Sequence, residues 1–191
     1  MKKKILFIVD AQNDFCHKDG TLPCEGHEEA VNNIVKLLDN NKFDEVVCTA
    51  DTHDDDYKRT TEGKHLPVEH CMEGTWGNFL NKKVYDALYQ QHWIVLGKTG
   101  FMVKPGSLKN IFNDDYWYDV YICGFATDIC VINNALLLKQ FFPYSEVSLI
   151  KNCCAGTSVE MHNKAIDIMA INHINILGEY HNNDNKEDNN D

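Results

Sequence analysis

The chain has 191 residues, 43% hydrophobic and 25% charged, with a formal charge of −11 from 18 Lys+Arg and 29 Asp+Glu. This composition supports a soluble domain with a substantial core and excludes a disordered or fibrous chain. The negative charge argues against a nucleic-acid duplex or an anionic membrane surface as partner, and no apolar run approaches the roughly 18–20 residues needed to span a bilayer.

The first predicted strand is Ile5–Val9, and its length falls short of the about 7–15 apolar residues of a signal peptide. A cytoplasmic location follows as the expectation. Val31, Ile34 and Leu38 then recur at helical spacing, and the second strand is Glu45–Thr49. Residues 51–78 break the alternation with a long polar stretch dense in His and Asp, and loops of that length in compact domains tend to carry function. Further strands are predicted at Trp93–Leu96, Asp119–Cys123, Glu146–Ile150 and Ile174–Leu177. Two more helices lie between them, one carrying Ile129, Ile132 and Leu136, the other Met161, Ala165 and Ile168.

Strands alternating with helices imply a single-domain, three-layer α/β/α fold around a mainly parallel six-stranded sheet. The domain is expected over residues 1–179. Residues 180–191 form an acidic, Asn/Asp-rich tail without apolar residues after Tyr180, expected to be disordered.

In open α/β sheets the ligand crevice lies beyond the carboxyl ends of the strands. Asp10 closes the first strand, Asp51 follows the second, Lys98 follows the third, and the segment Gly124–Cys130 follows the fourth as a helix begins. Cys130 is placed to act as a nucleophile. The first helical turn, where Thr127 or Asp128 is a candidate cap, lowers a thiol pKa, and Lys98 would lower it further. Asp10, poorly solvated, could accept the thiol proton.

Lys98 in LGKTGF is not a phosphate-loop lysine, because that motif needs a glycine where this chain has His92. Lys104 is the alternative cation. Asp51 and His53 form a D-x-H pair, with His70 seventeen residues after His53. Two imidazoles and a carboxylate suit zinc, iron or manganese. His65 is the alternative to His70, and a rival set of Cys16, His17, Cys24 and His27 lacks the paired spacing of a structural zinc site.

Eight cysteines in a chain expected to stay in the cytoplasm read mainly as buried reduced thiols, the vicinal Cys153 and Cys154 among them.

FIVDAQNDF at 7–15, TADTH at 49–53, HCMEGTWG at 70–77, GKTGF at 97–101 and GFATDICV at 124–131 together resemble the isochorismatase-like cysteine hydrolases, in particular their nicotinamidase branch. The resemblance implies catalytic Cys130, Asp10 and Lys98, and an oxyanion hole from the backbone N–H groups of Ala126 and Cys130 with a cis bond at Phe125–Ala126. It also implies one divalent metal ion on Asp51, His53 and His70, with zinc the first choice and iron or manganese the alternatives.

The implied reaction is hydrolysis of nicotinamide to nicotinic acid and ammonia through a cysteine thioester, in NAD salvage. The alternative is a related amidase acting on another small amide. The implied partner is thus a small-molecule amide, with no nucleic acid or membrane, and a homo-oligomer remains open.

Two departures from the branch touch the substrate pocket. Leu66 stands near where many nicotinamidases carry an aromatic residue, and the loop after Lys98 reads TGFMVKPGS. Phe15 or Trp76 is expected to supply an aromatic wall, with Phe15 and Leu66 taken as substrate contacts.

Overall fold

The computed structural model describes residues 2–112 and 117–180. The tail expected to be disordered thus lies outside the described residues, apart from Tyr180. Six strands form one sheet: β1 (Lys3–Val9), β2 (Glu45–Asp51), β3 (Trp93–Lys98), β4 (Tyr118–Phe125), β5 (Glu146–Ala155) and β6 (Asn175–Leu177). Their order is β3-β2-β1-β4-β5-β6, and every pairing is parallel.

Successive residues of a strand point to opposite faces, so the continuous apolar run of β1 requires cover on both sides. Ile5, Leu6, Phe7, Ile8 and Val9 are all buried. After the short helix α1 (Asn13–Cys16), the helices α2 (His27–Asn40) and α4 (Lys82–Leu88) pack together, as do α6 (Ile132–Phe141) and α7 (Val159–Ile171). The winding reverses between β1 and β4, which places these pairs on opposite faces of the sheet.

Each predicted strand is present, but several run further at the carboxyl end. Asp51 and Lys98 are therefore the last residues of β2 and β3, held in the ladder opposite one another. Cys153 and Cys154 lie inside β5, both buried.

Helix positions are as expected, whereas two of the buried faces differ. On α2, Val31, Ile34 and Leu38 are buried. On α6 the core face is Ala135 and Leu138 with Phe141, while Ile132 and Leu136 are half-buried. On α7 it is Ala165, Ile166 and Met169, leaving Met161 42% and Ile168 46% exposed. Both helices are apolar on more than one side, so spacing alone selected the wrong stripe.

The long polar segment is not structureless. It holds 3₁₀ turns at Tyr57–Arg59 and Trp76–Asn78 and a short helix, α3 (Thr61–His65). Thr60 caps α3 by accepting from Gly63 N–H at 2.9 Å. Among the described residues no helix is long and apolar enough to cross a membrane.

The switch point itself depends on Gly124. Its φ is +121°, and a Cβ there would run into the backbone of Val9. Only glycine lets β4 approach β1 this closely just before the chain turns into the Cys130 segment.

Candidate active site

Lys98 is the hub of the site. It is only 4% exposed, and its Nζ lies 2.7 Å from Asp10 Oδ2 and 3.2 Å from Asp51 Oδ1. The same nitrogen donates to Cys130 Sγ at 3.4 Å. Three strand ends and the segment after a fourth thus meet at one ammonium group.

Asp10 is fully buried and has φ +46°, in the left-handed region that costs a non-glycine residue about 1–2 kcal/mol. Thr49 on β2 holds it there. Asp10 N–H donates to Thr49 Oγ1 at 3.1 Å, and Thr49 Oγ1 donates to Asp10 Oδ1 at 2.5 Å.

Cys130 sits in a π-helical turn, Thr127–Val131, that leads into α6. The Phe125–Ala126 peptide before it is cis. Neither Thr127 nor Asp128 caps the turn. Thr127 Oγ1 is 2.8 Å from His162 Nδ1, and Asp128 accepts from Thr157 N–H at 2.8 Å. Both side chains tie the turn to the start of α7 instead. The Ala126 carbonyl accepts from Ile129 and Val131 N–H at 3.1 and 3.0 Å.

The electrostatics differ from the expected resting thiolate. Burial raises the Cys130 thiol pKa well above 9.0 and the Asp10 carboxylate raises it further, which outweighs the pull of Lys98. Asp10 is itself raised from 3.8, by burial first and by the Asp51 charge next, against the opposing Lys98. Burial disfavours the Lys98 cation, but Asp10, Cys130 and Asp51 together raise its pKa above 10.5. Burial and Asp10 thus favour the thiol form of Cys130, burial makes Asp10 a stronger base, and the neighbouring carboxylates favour the Lys98 cation. A macrodipole argument from sequence could not weigh desolvation, which is the largest influence here.

Beside this triad, Asp51, His53, Glu62 and His70 converge with their donor atoms within 4.8 Å of one another. His53 Nε2 lies 3.0 Å from Asp51 Oδ2 and 3.9 Å from Glu62 Oε1; His70 Nε2 lies 3.6 and 3.7 Å from the same two oxygens. Donors about 2.0–2.1 Å from a tetrahedral ion would be spaced about 3.3 Å apart, so the set fits a divalent cation such as zinc.

Burial raises the Glu62 pKa and the Asp51 charge adds to it, against the opposing pull of His53, His70 and Lys98. Burial also pushes Asp51 up, but hydrogen bonds from His53 and His70 and the Lys98 charge hold it below the usual carboxylate range. His70 Nδ1 is 2.8 Å from the Val68 carbonyl, which leaves Nε2 for the cluster. Gln12 fixes Asp51 from behind: its Oε1 accepts from Asp51 N–H at 2.7 Å and its Nε2 donates to Asp51 O at 2.8 Å.

Glu62 escaped the reading of the sequence. The structure brings it in because α3 folds back over the cluster, and the helix-capping Thr60 three residues before Gly63, which places Glu62 in the first turn, was the available signal. Among the described residues no other group of metal-ligating side chains forms, so Cys16, His17, Cys24 and His27 do not assemble. His65 stands at the mouth of the cavity, outside the cluster, and Lys104 is exposed ahead of the short helix α5 (Pro105–Lys109).

Cys130 and three of the four cluster residues, Asp51, Glu62 and His70, open on a cavity of about 890 Å³. Phe15 and Leu66 line it, with Ala126 and Ile129. Trp76 does not. It packs edge-on against His17, ring centroids 5.0 Å apart, and lines a different groove. The second aromatic wall is Phe101, from the loop after Lys98. Tyr57 is buried behind the cluster, its ring centroid 4.5 Å from that of His53 and 5.2 Å from that of His70.

A doubly wound α/β sheet with a Cys–Lys–Asp triad beside a carboxylate–imidazole cluster defines the class, a metal-site cysteine hydrolase scaffold. Known proteins place it more narrowly. The Isochorismatase domain matches residues 4–178, so the chain belongs to the isochorismatase family. It is 30% identical over 84% of its length to the nicotinamidase of Schizosaccharomyces pombe, covering 86% of that protein.

Among solved structures, the nicotinamidase/pyrazinamidase PncA of Bacillus subtilis superposes with a TM-score of 0.76 at 24% identity, covering 93% of this chain and all of the other. A pyrazinamidase of Pyrococcus horikoshii in complex with zinc gives 0.69 at 20% identity, over 93% of this chain and 99% of that one.

Proposed function

We propose that the chain is a nicotinamidase, converting nicotinamide to nicotinic acid and ammonia. The observation that carries this reading is Lys98 Nζ within 3.4 Å of the Cys130 sulfur and 2.7 Å of Asp10, with Cys130 lining the cavity, in a chain whose relative is a nicotinamidase. Cys130 Sγ attacks the carboxamide carbon as Asp10 takes the thiol proton. The oxyanion is stabilised by the backbone N–H groups of Ala126 and Cys130. Asp10 returns the proton to the leaving nitrogen, and ammonia departs. Water then attacks the thioester, Asp10 removing its proton, and the acid leaves as the sulfur is reprotonated. Lys98 remains an ammonium throughout and balances the charge that passes between sulfur and carboxylate.

Asp51, His53, Glu62 and His70 would hold one divalent cation, zinc by analogy with the pyrazinamidase. A cation held by these side chains with one further coordination position open would anchor the pyridine nitrogen and orient the ring. Phe15, Leu66 and Phe101 would flank that ring. The free thiols of all eight cysteines support a reducing compartment such as the cytoplasm.

The test is ammonia release from nicotinamide by zinc-loaded protein. Turnover of nicotinamide is expected. Turnover of other small amides with none of nicotinamide would replace this reading with that of a different amidase. His53→Ala should keep the fold and weaken zinc binding by more than the roughly 10–100-fold that losing a hydrogen-bond partner behind a ligand costs. Full zinc retention on metal analysis would refute the ligand set.

A further inference from the structure

We infer that Asp14 is a positioning residue for the metal cluster, acting through the main chain of Cys71; the inference rests on the metal site of the proposed function. In the sequence Asp14 looks like a local turn acceptor four residues after Asp10. In the structure it is 5% exposed and reaches across the fold. Its Oδ2 accepts from Cys71 N–H at 2.7 Å and its Oδ1 from Thr21 N–H at 3.1 Å.

Cys71 directly follows His70 and has φ +46°, a conformation that a side chain disfavours and that needs outside support. The support comes from both sides. Asp14 holds the N–H, while the Cys71 carbonyl accepts from His53 N–H at 3.1 Å and from Asn78 Nδ2 at 3.2 Å. The left-handed turn at Cys71 aims the preceding imidazole at Asp51 and joins the chain of His70 to that of His53. A charged acceptor strengthens such a bond relative to a neutral one.

The second oxygen of Asp14 does the same for the other wall of the cavity. Thr21 N–H is bound by Oδ1 and Leu22 N–H by the Asp14 carbonyl at 3.0 Å, and both residues line the cavity. Gly77 closes the arrangement, because a Cβ there would overlap the Asp14 carboxylate. One side chain thus sets both the His70 arm and the facing loop, without touching a donor atom of the cluster.

The test is zinc titration of metal-free protein against a competing chelator, for wild type, Asp14→Asn and Gly77→Ala. Asp14→Asn keeps the shape but can satisfy only one of the two N–H groups. Gly77→Ala keeps the charge but displaces the carboxylate, and so separates positioning from simple attraction of a cation. Both are expected to weaken zinc binding roughly 10–100-fold, while iodoacetamide alkylation of Cys130 in the metal-free protein is unchanged. Should Asp14→Asn fail to fold, Gly77→Ala alone decides.

Wild-type zinc affinity in a folded variant would overturn the inference. So would Cys130 alkylation that changes together with zinc binding, since that would mean general disruption. Absence of zinc binding by wild type would instead remove the metal site itself, and the inference with it.

Discussion

Cys130→Ala should abolish nicotinamide hydrolysis, with kcat falling by at least about 10⁴-fold, as removal of a nucleophile does in other covalent hydrolases. Among the described residues, Cys130 carries the one thiol of the cavity that receives a hydrogen bond from Lys98, and no neighbouring thiol can replace it. Cys24 also lines the cavity, but burial raises its thiol to about 12 and no lysine lies among its influences. The variant should keep bound zinc, because Cys130 is not one of the converging donors. Ammonia release and metal analysis on the same sample check both statements. Residual activity within tenfold of wild type would end the thioester mechanism.

Asp10→Asn should produce two opposite changes. Loss of the general base should lower kcat by roughly 10²–10⁴-fold. The thiol of Cys130, however, is held protonated by burial and then by the Asp10 charge. Removing that charge while Lys98 remains lowers the thiol pKa, so iodoacetamide should alkylate Cys130 faster at neutral pH in the slower enzyme. Mass spectrometry of the alkylated peptide separates Cys130 from Cys24.

The pH dependence follows from the same residue. Asp10 is raised above 3.8 by burial and works only as the carboxylate. Wild-type activity should therefore fall as pH drops through that raised value, and the acid limb should vanish in Asp10→Asn. Slower alkylation in the variant would mean that Asp10 ionises the thiol before substrate arrives, contrary to the order of steps proposed.

The metal half of the site carries a smaller and more separable effect. His53→Ala and the Asp14 variants are read by zinc binding, the triad variants by ammonia and alkylation. Asp51 is the exception, since its two oxygens face Lys98 and the imidazoles respectively. Changes there should disturb both readouts.

The sequence by itself determined the architecture and most of the site, because both rest on local rules. Apolar runs such as Ile5–Val9 with helices between them leave a parallel sheet as the way to cover both faces, and the crevice then lies where strands end. That logic reached Asp10, Asp51, Lys98 and Cys130 from positions far apart in the chain.

Only the tertiary structure decided the rest, for reasons of distance and dielectric. Glu62 joins the cluster because α3 folds back, Trp76 leaves the cavity because it packs on His17, and Phe101 takes its place. Asp14 binds an N–H group 57 residues away. The charge state of Cys130 depends on how much water the fold removes and how near Asp10 comes, and neither quantity is a property of residue order.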